Sequence, residues 1–149
     1  MRTSYCGAGG GRYPIPMNLW GTGPFDNDAA KAFVDEVLHD GDYALAEAFD
    51  VVLDADMDYV EAEEGFRVVA AAEILAAVLT DGTSRLVDAG LRGWVQNADA
   101  SALAALKTSA RNALKRVLSD QSELDDLWEE SSDAEAWRSE VERLRAALD

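Results

Sequence analysis

The chain has 149 residues, enough for one ordinary domain and too few for two comfortable ones. Its 13 Lys and Arg against 29 Asp and Glu leave a net charge of −16, which opposes phosphate backbones and anionic lipid, so direct nucleic-acid binding and membrane-surface binding are not expected. Apolar residues make up 48%, ample for a core, while one Cys excludes a disulfide framework or a multi-thiolate zinc site and one His excludes His-rich metal and catalytic constellations.

Residues 1–16 carry Gly7 and Gly9 to Gly11, then Pro14 and Pro16, with no apolar periodicity. They read as a flexible leader, with Met17 as the expected natural start of a domain over 17–149. A phosphate-cradling loop would need a preceding strand and a P-loop Lys, and neither is present. No apolar run reaches the roughly 18 residues that span a bilayer. The longest, Val68 to Leu79, is broken by Glu73. The start has no apolar secretory signal, so the expected location is cytoplasmic.

From Asp26 onward the apolar period is helical. Asp26 or Asn27 caps a first helix with Ala30, Phe33, Val34 and Val37 inward, and Gly41 ends it. A second helix is expected over about 43–55, with Leu45, Phe49, Val52 and Leu53 inward. Asp58 with Glu61 resembles a capping box for a third helix over about 59–80. Phe66, Val69, Ala70, Ile74, Ala77 and Val78 mark that helix as long, apolar and central. A fourth helix is expected over about 84–96, a fifth over about 100–118 behind Asp99, and a short sixth over about 121–129. Ser132 and Glu135 form a capping box for a last helix carrying Trp137, Val141, Leu144 and Leu148. No alternating strand pattern of useful length occurs. The fold class is all-α: one compact bundle of about six or seven helices.

Charge is segregated along the chain. Residues 26–66 hold 14 acids against Lys31 alone, residues 67–119 carry a small basic excess, and residues 120–149 are acidic again. Lys107, Arg111 and Arg92 are expected to pair with acids across the bundle. The acids Asp35, Glu36, Asp42, Glu47, Asp50, Asp54, Asp56, Asp58, Glu61 and Glu64 are either the solvated faces of the early helices or a docking surface for a basic protein partner.

Three further features bear on chemistry. Asp54, Asp56 and Asp58 have the spacing of calcium-loop positions 1, 3 and 5. Tyr59 replaces the required Gly and Gly65 the bidentate Glu, so no metal is expected there. His39 stands at the end of the first helix, where it complements the dipole. Glu73 lies on a small-residue face with Val69, Ala70, Ala76 and Ala77, and if buried it needs a partner such as Arg92 or Arg111. No catalytic residue and no cofactor is expected.

The string Trp20, Gly21, Gly23, Phe25, Asp26, Asn27 and Asp28 resembles the opening of the bacterial domain-of-unknown-function family 4259. The stretches around Glu73 and around Leu127-Trp128-Glu129 are also similar, so the resemblance covers about 17–149. It implies a small bacterial protein and brings no activity with it. In physical terms Trp20 and Phe25 suit anchors against the bundle, and the two glycines permit a sharp turn. The opening is either a structural plug or a ligand loop built on Asp26, Asn27 and Asp28. The functional expectation is a non-enzymatic interaction module, like an immunity protein or antitoxin. An enzyme or metal site using Asp26, Asn27, Asp28 and Glu73, and a nucleic-acid mimic, are the alternatives.

Overall fold

The computed structural model describes residues 28–54, 56, 58–80, 86, 88–129 and 133–148. Trp20, Gly21, Gly23, Phe25, Asp26 and Asn27, with the leader, lie outside the described residues. Those described form eight α-helices and no named strand: α1 (Asp28–Asp40), α2 (Asp42–Leu53), α3 (Ala62–Thr80), α4 (Ala89–Asn97), α5 (Ala100–Leu103), α6 (Lys107–Val117), α7 (Glu123–Glu129) and α8 (Ala134–Ala147). The fold is compact and all-α, and no described helix is long and apolar enough to cross a membrane.

The first two helices are built on amphipathic stripes. In α1 the inward residues are Ala30, Phe33, Val34 and Val37, and in α2 they are Ala44, Leu45, Ala48, Phe49 and Val52. One residue joins these two helices. Gly41 sits at φ +67°, its N–H donates to the Val37 carbonyl at 2.8 Å, and its own carbonyl accepts from Ala44 at 3.0 Å. A left-handed φ of this kind is open to glycine without Cβ strain, so one position ends a helix and starts the next.

Helix α3 is buried almost all round. Every residue from Val68 to Val78 is buried, and α1, α2, α4, α5, α6, α7 and α8 all pack against it. Its alanines, at 70, 71, 72, 76 and 77, let neighbouring backbones approach closely. At its N-terminal end Gly65 faces Leu124 of α7. A Cβ there would stand 2.8 Å from Leu124 Cδ1 and 3.0 Å from its Cγ, so glycine is required by the close approach.

The entry to α3 is held by a segment some sixty residues further on. Val60 and Ser122 form an isolated parallel bridge, with Val60 N–H donating to Gln121 O at 2.9 Å and Glu123 N–H to Val60 O at 2.8 Å. Glu123 Oε1 then accepts from the Ala62 N–H at 2.7 Å. This corrects the capping box expected from Asp58 and Glu61. Asp58 is exposed, and the helix starts after Glu61, one turn later. A carboxylate held by the bridge satisfies the free N–H that a local side chain would otherwise cap.

Two other boundaries depart from the sequence reading. α4 starts at Ala89, because Asp88 Oδ1 accepts from the Leu91 N–H at 2.8 Å and so caps the helix there. The expected continuous helix over 100–118 is divided. Asp99 caps α5, a 3-10 turn covers Ala104–Leu106, and α6 follows. Three residues wound at the 3-10 pitch turn the chain about 60° further than an α-helix would, so α6 does not continue the register of α5, and both pack against α3. At the start of α8, Asp133 occupies the capping position and Ser132 lies outside the described residues.

Gly65→Ala should destabilise the protein by about 1–3 kcal/mol, although Ala is the better helix former, because Leu124 is fully buried and cannot move freely. Thermal melts of Gly65→Ala, Leu124→Ala and the double variant test this. The double variant should lose less than the two single losses together.

Candidate functional site

The buried carboxylate of Glu73 sits in the middle of α3 and is met by α8. Arg143 donates through Nη2 to Glu73 Oε1 at 2.7 Å and to Glu140 Oε1 at 3.0 Å. The sequence reading named Arg92 and Arg111 as partners. Arg143, seventy residues away in sequence, supplies this contact, while Arg92 is exposed on α4. The two carboxylates hold the guanidinium pKa above its ordinary value against the opposing effect of burial. Glu73 is thus engaged in a tie between α3 and α8.

Other cross-helix links follow the same logic. Arg67 of α3 donates to Glu36 of α1 at 2.6 Å and lies 5.4 Å from the Phe33 ring centroid, joining a charge pair to a cation–π contact. Arg138 of α8 donates to the buried Asp125 of α7 at 2.5 Å. Beside that pair, Trp128 and Trp137 stack with centroids 6.1 Å apart and planes at 15°. Trp128 is therefore buried between α7 and α8.

Three carboxylates gather within 4.8 Å on α7: Asp125, Asp126 and Glu129. Asp125 is already neutralised by Arg138, and Asp126 Oδ2 accepts from the Tyr59 hydroxyl at 2.9 Å. A bound cation would have to compete with that guanidinium. Asp54, Asp56 and Asp58 are all exposed, and the Asp54 carboxylate accepts the Asp56 N–H at 2.9 Å in a local turn. Asp28 opens α1, where its charge complements the helix dipole. His39 is exposed in the last turn of α1.

The acidic residues singled out in the sequence are placed at the surface. Asp35, Asp42, Glu47, Asp50, Asp54, Asp56, Asp58 and Glu61 are exposed, and Glu36 and Glu64 are half-buried. Glu64 lies in the first turn of α3. Partial burial, then the neighbouring Glu61 and Glu63, push its carboxyl above the ordinary range, while Arg67 and a backbone hydrogen bond with Glu61 act the other way.

Four residues of this surface were not anticipated. Among the described residues the exposed large hydrophobics are Leu38 (42%), Tyr43 (67%), Val51 (38%) and Tyr59 (43%). All four fall within the acidic segment. The available signal was their failure to fit the inward stripes: Leu38 is off the Phe33–Val37 face, and Tyr43 and Val51 are off the Leu45–Phe49–Val52 face.

The family model described as Domain of unknown function (DUF4259) matches residues 18–140, and the chain belongs to that family. No curated protein and no solved structure gives a match.

Two outcomes are expected. Arg143→Met should destabilise the protein by about 2 kcal/mol, below the ~3–5 of a fully buried pair because Arg143 is itself only half-buried. A second substitution, Glu73→Gln, should recover part of that loss in chemical denaturation, since the buried charge is then gone. For Glu64, a carboxyl raised on folding is protonated more readily in the folded state, so its ionisation costs stability as pH rises from the ordinary carboxylate range through its folded pKa. Thermal melts of Glu64→Gln should therefore show stability unchanged in acid and raised slightly at neutral pH, by about 0.5 kcal/mol or less.

Proposed function

We propose that this family member is a cytoplasmic, non-enzymatic interaction module whose acidic face over residues 35–64 occludes a basic protein, as an immunity protein or antitoxin would. The observation that carries this reading is a coincidence of position. The segment with the densest acid also contains every exposed large hydrophobic among the described residues. Acid alone serves solubility. Acid surrounding tyrosine, leucine and valine is the composition of a recognition surface, with apolar anchors that exclude water and a charged rim that steers encounter.

The two alternatives fit less well. A carboxylate enzyme or metal site would draw on Glu73, which is engaged by Arg143 inside the bundle. Asp26 and Asn27, its other members, lie outside the described residues. A nucleic-acid mimic needs phosphate-like spacing of acids and gains nothing from exposed tyrosine and valine.

The test is capture from a lysate of the source cell on the immobilised full chain, at low and at high salt, beside a variant carrying Glu47→Gln, Asp50→Asn and Asp54→Asn. The expected result is a basic protein retained at low salt by the native chain and lost both at high salt and with the neutralised variant. Retention that ignores salt and variant alike, or no specific retention, overturns the proposal.

A further inference from the structure

We infer that the outer face of α2 seats a cationic amphipathic α-helix of the partner protein; this deepens the reading above and rests on it. The helix α2 has two unlike faces. One, with Leu45, Phe49 and Val52, is buried in the bundle. The other carries Tyr43, Glu47, Asp50 and Val51, with Asp54 just past its C-terminal end, all exposed. Residues 43, 47, 50 and 54 follow one another at steps of four, three and four, so they form a single stripe along the helix. At 1.5 Å per residue that stripe is about 16 Å long, or three turns.

The charge pattern of the stripe specifies its occupant. The helix contains no Lys or Arg, so its acids are not neutralised by its own side chains. Glu47, Asp50 and Asp54 recur with the helical pitch and span about 10 Å. A partner helix with Lys or Arg at three- and four-residue spacing repeats at the same pitch and can meet all three. An extended segment carries same-side residues about 6.7 Å apart, so over the three acids it falls out of register by about 3 Å. Tyr43 and Val51 stand one turn on either side of Glu47, and each gives the partner an apolar contact beside a charge. The Tyr43 ring can also take an ammonium or guanidinium on its face. A second copy of this chain is a poor occupant, because a symmetric contact through α2 would set acid against acid.

The test uses the full chain and three labelled probes in physiological salt: a lysine–leucine peptide with its lysines on one helical face, a scrambled peptide of the same composition, and oligolysine. Fluorescence anisotropy measures each affinity, and circular dichroism confirms that Tyr43→Ser and Val51→Ser retain the helical fold, as their exposure predicts. The helical peptide should bind at least about tenfold more tightly than the scrambled one, and Tyr43→Ser should remove most of that tenfold while leaving oligolysine unchanged. Equal binding of all three probes, insensitive to Tyr43→Ser, overturns the helix seat and leaves the acidic-face reading intact. No binding by any probe overturns both. Self-association of the chain that Tyr43→Ser abolishes, seen by sedimentation, overturns the seat by assigning α2 to a second copy.

Discussion

The burial of α3 on nearly all sides is the constraint from which the rest of this structure follows. A helix that meets neighbours in every direction has no solvated face on which to leave a polar group. Its interior is accordingly built from alanine, valine, isoleucine and leucine, with Gly65 where α7 comes closest. The one charge on its buried length, Glu73, has to be met from outside the helix, and Arg143 of α8 meets it. The first turn of α3 is subject to the same demand, which Glu123 satisfies from the loop bridge at Val60 and Ser122. The C-terminal half of the chain thus supplies polar partners for α3.

This arrangement divides the labour among the charged residues. Arginines of the later helices turn toward carboxylates in or near the bundle: Arg138 to Asp125 and Arg143 to Glu73 and Glu140. Arg67 ties α3 to α1 through Glu36. Most of the other acids of the early helices are exposed. Partial burial, and after it the neighbouring Glu61 and Glu63, raise the carboxyl of Glu64. Tyr43, Leu38, Val51 and Tyr59 stand exposed in the same stretch of chain.

Much of the fold was legible in the sequence because a helix facing a core leaves a periodic trace. Phe33, Val34 and Val37, Leu45, Phe49 and Val52, and Val141, Leu144 and Leu148 were each assigned inward from spacing alone, and each is buried. The boundaries were less legible where a distant group competes with a local one. Asp58 looked like a cap for α3, but Glu123 takes the Ala62 N–H. The 3-10 turn at Ala104–Leu106 left no mark in a stretch whose propensity is helical throughout. In the candidate site, the acids could be counted directly, whereas the exposed tyrosines could be recognised only as residues that fitted no inward stripe.

The sequence by itself determined the helical class, the inward faces, the segregation of charge and the family, because each is written in composition, period or local motif. Tertiary structure alone decided that Arg143 reaches Glu73 and that Leu124 stands against Gly65. Those outcomes depend on which helices become neighbours. A residue's spacing along its own helix sets the direction in which its side chain points, but not what stands opposite it.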